Sequence, residues 1–352
     1  MSATSPSAAK PAPRTAEAWA WLDGGTAGKF HAAGIFQKCT APPPVGVSFY
    51  VNDFELSDAA PWRIPLEGGE AEAVTGFAPV ISWEPPSREQ FRAVFDDLMD
   101  AVRDREILKA VPVAVASGRH EGGGETGRWV RHSLTHPAGD LQGLSFGWME
   151  GGDGFGGFTP EILFEIDGCR LTTMALAGTT DAAHAADLTE RPKLAREHAV
   201  VVDELQKRLA VLGKVTTGPR EVVRQGTMRH LRTPMEVTLS RPPDGDDLNE
   251  IIRLLHPTPA LGISPRTESS SALLRQCRER MGTPGAFGAP FGVAWPGGAL
   301  IVVAIRGVFW NGDHVLLPSG CGLVAGSEFD AEWEELELKR AWVQRALGFA
   351  GC

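Results

Sequence analysis

Between Ser87 and Arg105 apolar side chains recur at Phe91, Val94, Phe95, Leu98 and Val102. This is the three-and-four spacing of a helix with one buried stripe, and Ser87 in front of it is a capping residue. The same period returns from Glu190 to Leu212, with Leu194, His198, Val201, Val202, Leu205 and Leu209 along one side. A third helix is predicted at roughly Leu248–Leu255, and a fourth closes the chain in AEWEELELKRAW. Between these helices the pattern changes. ILKAVPVAVAS reads as a buried β-branched strand, and FTPEILFEIDG and CRLTTMALAGTT as two antiparallel strands turning at Asp167-Gly168. GGALIVVAIRGVFWNGDHVLLPSG reads as a strand pair turning at Asn311-Gly312, and residues 16 to about 80 as short strands joined by turns. In HPTPALGISPR the prolines and a glycine argue against regular structure. Long antiparallel strands with helices between them, and no Pro/Ser-rich linker, predict one α+β domain over residues 16–352.

Composition narrows the class. The chain has 352 residues, 43% of them hydrophobic, enough for a sizeable core. No run approaches the roughly 18 apolar residues of a membrane span. A net charge of -10 argues against a nucleic-acid-binding surface. Cys39, Cys169, Cys277, Cys321 and Cys352 lack metal spacing, which fits a reduced cytosol. Residues 1–15, rich in Ser, Ala and Pro, read as a disordered leader without a signal peptide's apolar core. The expectation is a cytoplasmic monomer or weak dimer that binds neither nucleic acid nor membrane.

Several motifs fail on context. Gly152, Gly154 and Gly157 match G-x-G-x-x-G, but the residues that follow are strand-like, so no helix N-terminus awaits a pyrophosphate. Gly28-Lys29 lacks the first glycine and the hydroxyl residue of a P-loop. His184, His198, His230 and His256 have no zinc spacing, and no G-x-S-x-G elbow is present.

Charged residues in apolar surroundings carry the candidate chemistry. Glu332, Glu335 and Lys339 fall on one stripe of the last helix, either a solvated face or a cation site with a carboxylate beside it. Lys109 stands in an apolar strand, where it either snorkels to solvent or, desolvated, serves as a general base. Glu161 enters an apolar strand, where burial raises a carboxyl's pKa and suits it to general-acid work. Glu197 is either a carboxylate favoured by the helix dipole or, with Glu335, an oxygen ligand for Mg²⁺. Arg306, mid-strand in VVAIRGV, wants a bidentate carboxylate from protein or ligand, and the turns LAGTT and SGCGL offer backbone N–H groups to a second anion. Together these groups describe a site for a small dianion with a metal on one carboxylate.

Nine segments in order, LKAV, FTPEILF, ALAGT, REHAVVVDEL, RHLRTP, LHPTPAL, VVAIRG, SGCGLV and EWEELELK, resemble the chorismate-utilising enzymes from about Phe91 to the C-terminus. That family includes isochorismate, salicylate and anthranilate synthases. The resemblance implies a single domain of two packed antiparallel sheets flanked by helices, the anthranilate-synthase-like fold. It also implies chorismate as substrate, Mg²⁺ as cofactor, Lys109 as the water-activating base and Glu161 as the general acid. Glu197 and Glu335, with Glu332 close by, match the metal ligands. Arg306 and the Gly320–Gly322 turn match the groups that hold the enolpyruvyl carboxylate, and His230 a histidine on that side of the pocket. Gly178, Thr179 and Lys339 match those near the ring carboxylate and metal. Ammonia-using members carry TRPRG after the AG turn, where this chain reads AGTTDAA; water is therefore the implied nucleophile. Ala260, before Leu261, and Phe287 are the isochorismate-synthase choices, whereas salicylate synthases tend to have Thr and Tyr there. The implied reaction is chorismate to isochorismate, in a siderophore, menaquinone or secondary-metabolite pathway. The alternatives are salicylate synthesis and a catalytically silent chorismate-binding homologue. Pro112, Ile263 and Ala289 depart from the family pattern.

Overall fold

The protein is described from a computed structural model covering residues 18–24, 27–66, 79–121, 126–137, 143–181, 192–225 and 228–349. The leader 1–15, His184, Glu190 and Cys352 lie outside the described residues. Every strand pairing described is antiparallel. The first sheet has eight strands in the order Lys29–Ala33, Trp19–Asp23, Leu144–Glu150, Asp153–Thr159, Gly307–Asn311, His314–Gly320, Val113–His120 and Ile81–Glu84. The second, of ten, runs Val215–Thr217, Met228–Thr238, Arg170–Asp181, Ile162–Asp167, Gly298–Val303, Pro290–Trp295, Ser48–Val51, Trp62–Pro65 and Phe36–Cys39. Its tenth strand, Glu221–Gln225, also pairs with Met228–Thr238. A small third sheet joins Ile263–Ser264, Lys109–Ala110 and Leu323–Val324.

The two large sheets face each other across an aromatic core. Phe146, Phe155 and Phe309 of the first meet Phe291, Val293, Leu300 and Val302 of the second. Phe155 stands edge-on to Phe291 at 5.5 Å between ring centroids. Each such side chain contributes about 1.5–3 kcal/mol by leaving water. Six helices are described: α1 (Arg88–Arg103), α2 (Thr126–Thr135), α3 (Pro192–Leu209), α4 (Gly245–Leu255), α5 (Glu268–Arg280) and α6 (Phe329–Ala346). The predicted stripe of α1 is buried, and Ser87 Oγ accepts the Gln90 N–H at 3.2 Å. Helices α3 and α4 pack apolar side chains into the main core, and α1, α5 and the start of α6 form a second core around the third sheet. The two-sheet α+β architecture expected from sequence is therefore present.

Three predicted strands are each two strands. ILKAVPVAVAS breaks at Val111-Pro112 into Lys109–Ala110 of the third sheet and Val113–His120 of the first. FTPEILFEIDG breaks at Pro160-Glu161, and the chain passes from the first sheet into the second. VVAIRGV breaks at Ala304–Arg306 and passes back. Both sides of each break are buried, so the apolar character is the same before and after it; the local signals are Pro112 and Pro160, which lack a ladder N–H, and the charged Glu161 and Arg306 at the breaks themselves. LAGTT is a bulged strand rather than a turn, the register shifting between Ala177 and Thr179. HPTPALGISPR contains the short strand Ile263–Ser264. Helices α2 and α5 were not predicted; α5 is mostly polar and starts from a Thr267–Ser270 capping box.

Candidate active site

The breaks between sheets place the charged residues. Glu161 is held where its strand changes sheets: its N–H donates to Thr159 Oγ1 (3.2 Å), and its carbonyl accepts from Val303 N (3.0 Å). Arg306, at the return crossing, adopts a left-handed φ of 57°, a strained state for a side-chain-bearing residue. The Phe158 N–H donates to its carbonyl at 3.0 Å and fixes it there. Gly157 makes this crossing possible, because a Cβ there would stand 2.3 Å from the Arg306 oxygen. Of the glycines in the failed dinucleotide motif, Gly154 and Gly157 thus serve close backbone approach, while Gly152 takes a positive-φ turn.

Both residues line one cavity of about 60 Å³. Thirteen of the fifteen residues singled out from sequence line it: Glu161, Gly178, Thr179, Glu197, His230, Ala260, Leu261, Phe287, Arg306, Gly320, Gly322, Glu335 and Lys339. Lys109 and Glu332 do not; they lie behind the wall, each 1% exposed. Lys109 Nζ donates to Glu197 Oε1 at 3.0 Å. Glu332 is paired with Lys193 Nζ at 2.5 Å and so is drawn away from the Glu335–Lys339 stripe. Lys339 Nζ donates to Glu335 Oε1 (2.5 Å) and to the Gly320 carbonyl (2.7 Å). Gly322 closes the wall over the Lys109–Glu197 pair. A Cβ there would fall 1.9 Å from Glu197 Oε1 and 3.1 Å from Lys109 Cε, so no larger residue fits without moving the pair.

Burial sets the electrostatics. It pushes the Glu161 carboxyl up to about 7, against the Thr258 hydrogen bond and the charges of Lys109, Arg306 and Lys339. Burial works the same way on Glu197, but Lys109 and Lys193 outweigh it and hold this carboxyl below its ordinary value. Glu332 rises to about 7 through burial, opposed by Lys193 and reinforced by the charge of Glu335. Burial also holds His230 well below its ordinary value, aided by Arg306 and Lys339, so the imidazole is neutral. His230 Nδ1 is 3.0 Å from Thr179 Oγ1, and its buried Nε2 has no hydrogen-bond partner among the described residues. Arg306 Nη1 is within 3.0 Å of Met228 Sδ, a weak acceptor that leaves the guanidinium available to an anion.

Among the described residues no three His, Cys, Asp or Glu side chains converge as a metal-binding group. The oxygen donors nevertheless suit Mg²⁺, which takes one or two carboxylates, waters and a substrate anion. Glu197 and Glu335 line the same cavity, and the like charge that Glu335 imposes on Glu332 is of the kind a cation relieves. Sequence reasoning missed two residues of this network. Lys193 precedes Glu197 by one helical turn, a spacing that was legible. Thr258, in the quoted LHPTPAL, donates to Glu161 Oε1 at 3.0 Å, and only the folded chain brings the two together.

A buried acid with a proton near neutrality, an available guanidinium and two further carboxylates on an antiparallel α+β scaffold make a pocket whose chemistry suits a small anion. A family model described as chorismate binding enzyme matches residues 131–348, and the chain belongs to this family. The salicylate biosynthesis isochorismate synthase of Pseudomonas aeruginosa is 31% identical over 277 residues, covering 75% of this chain and 56% of that protein. Isochorismate synthase MenF of Bacillus subtilis is 30% identical over 208 residues, 56% of this chain and 43% of that protein. The chain spans about half the length of these curated relatives. The structure of MenF, the menaquinone-specific isochorismate synthase of Escherichia coli, matches with a TM-score of 0.75 at 19% identity, over 95% of this chain and 89% of that one. This likeness shows the fold. No helix among the described residues is long and apolar enough to cross a membrane.

Proposed function

We propose that the protein is a Mg²⁺-dependent isochorismate synthase, converting chorismate to isochorismate by adding water at ring C2 and expelling the C4 hydroxyl. The observation that carries this reading is Glu161, a buried carboxyl raised to about 7 in a cavity that Arg306 and Lys339 also line. Such a group holds a proton at neutral pH and can pass it to a leaving hydroxyl. The names of the relatives in Pseudomonas aeruginosa and Bacillus subtilis support the same reaction.

The chain's groups divide the work. Arg306 and the backbone of the Gly320–Gly322 link receive the enolpyruvyl carboxylate, and His230 Nε2 offers a neutral hydrogen-bonding atom beside it. Gly178, Thr179 and Lys339 face the ring carboxylate. Glu161 protonates the departing C4 oxygen. Lys109, as the neutral amine left once the proton it directs at Glu197 has been given up, takes the proton from the incoming water past the bare Cα of Gly322, beside which its Cε lies. Glu197 and Glu335 would hold Mg²⁺, with Glu332 supporting them from behind. Bound there, the cation supplies charge neutralisation for the ring carboxylate. Glu197, already paired with Lys109, would then serve the cation as a second partner.

Chromatography of products after incubation with chorismate, with and without Mg²⁺, tests the reading. An isochorismate peak that needs Mg²⁺ is expected. Salicylate with pyruvate, or unchanged chorismate, would overturn it.

A further inference from the structure

Thr258 lies on the loop between α4 and Ile263–Ser264, a segment without regular structure that is nonetheless tied down on every side. Arg208 of α3 donates to the carbonyls of Leu255 (3.1 Å) and Pro257 (2.7 Å), and Arg266 to that of His256 (2.6 Å). His256 Nε2 is 2.8 Å from the Phe54 carbonyl. Burial takes the His256 imidazole down to about 3, so this contact does not change across the neutral range. The Leu261 and Gly262 N–H groups donate to the Thr258 carbonyl at 3.1 and 2.7 Å. A connecting loop needs no such anchoring to connect; one that presents a side chain to a fixed point does. That point is Glu161. Thr258 is 5% exposed and Glu161 4%, and the hydroxyl donates to Oε1 at 3.0 Å.

We propose that Thr258 is a positioning residue that engages Glu161 Oε1 and so fixes the transferable proton on Oε2. The inference rests on reading Glu161 as the proton donor. With the carboxyl ionised, the hydroxyl must donate, because a carboxylate only accepts. With it protonated, Oε1 stays occupied as the carbonyl oxygen, and the proton is confined to the other oxygen. The bond also favours the ionised form, and so works with the charges of Lys109, Arg306 and Lys339 against burial, while Glu197, Glu335 and the neutral His230 share the cavity. Removing the hydroxyl leaves a carboxyl that binds its proton more tightly and is less firmly aimed.

The test uses the full chain with Thr258→Val, which keeps the shape, and Thr258→Ser, which keeps the hydroxyl. The carboxyl stretch of Glu161 is followed by infrared titration, each variant being compared with its Glu161→Gln counterpart to isolate the band. Thr258→Val is expected to move the midpoint upward by about one pH unit, and Thr258→Ser to restore it. In turnover of chorismate, Thr258→Val should shift the high-pH loss of kcat by the same amount. It should also lower kcat about tenfold at pH 6 while KM stays within twofold. Should Thr258→Val fail to fold, Thr258→Ala is read in its place with the same expected direction. An unchanged midpoint in the hydroxyl-free variant, or a serine variant that behaves like it, overturns the proposal. A wild-type protein inert toward chorismate overturns the isochorismate synthase reading alone, since the infrared titration still decides whether Thr258 governs Glu161.

Discussion

Two cavities in this protein invite opposite first impressions. The larger, about 360 Å³, lies among Pro42, Pro43, Pro44, Pro242, Pro243, Leu248, Trp295 and Pro296. The smaller, about 60 Å³, holds Glu161, Glu197, His230, Arg306, Glu335 and Lys339. The one acid at the larger cavity, Asp244, is spent on capping α4, accepting the Asp246 and Asp247 N–H groups. The residues of the smaller cavity are held in costly states: a carboxyl that keeps a proton, an arginine at positive φ, a histidine with a bare buried nitrogen. Volume follows from how turns and prolines fail to pack. Buried charge persists only where surrounding structure sustains it, so it is the better guide to chemistry.

The sharpest way to break this contrast is Lys109→Met. It leaves Glu197 buried without its partner, and unfolding stability should fall by about 3–5 kcal/mol in chemical denaturation. Turnover should be lost with it; a variant of unchanged stability and rate would show that the pair behind the wall does nothing. Glu161→Gln should fold normally yet lose about 10³-fold in kcat, roughly 4 kcal/mol, measured by isochorismate release. The same variant sharpens the energetic argument. The folded chain keeps a proton on Glu161 that the unfolded chain has released, so stability should fall as pH rises from about 4.5 to about 7. The Glu161 share is about 3 kcal/mol, and Glu332 adds in the same sense. Melting measured at pH 5 and pH 8 should therefore find Glu161→Gln more stable than wild type only at the higher pH. The smallest effect belongs to the larger cavity. Asp244→Ala should lower the melting temperature by about 2 °C through the lost cap and leave kcat unaltered. A changed kcat there would give the second cavity a role that its lining does not suggest.

Much of this was legible along the chain. The α1 stripe and its Ser87 cap follow from the 3.6-residue period, and the hairpin at Asn311-Gly312 from local turn chemistry, although its two turn residues are Gly312, at positive φ, and Asp313, one position later than expected. The candidate site was legible because Lys109, Glu161 and Arg306 are charged residues inside apolar runs, a local contradiction that marks function. Two of these three stand where the chain changes sheets, and that was hidden, since a strand buried on both faces shows no change of pattern when it leaves one ladder for another. Helix α5 was hidden for the opposite reason, its surface being mostly polar.

The sequence by itself determined which residues carry charge into the core and which helices and turns flank them, because propensity, periodicity and capping act within a few residues. Only the tertiary structure decided the pairing: Glu332 with Lys193 rather than along its own stripe, Lys109 behind the wall on Glu197, Thr258 on Glu161. Those choices join residues up to 139 positions apart. They are set by whichever partner relieves the desolvation of a buried charge once the sheets have closed, and no local pattern records that outcome.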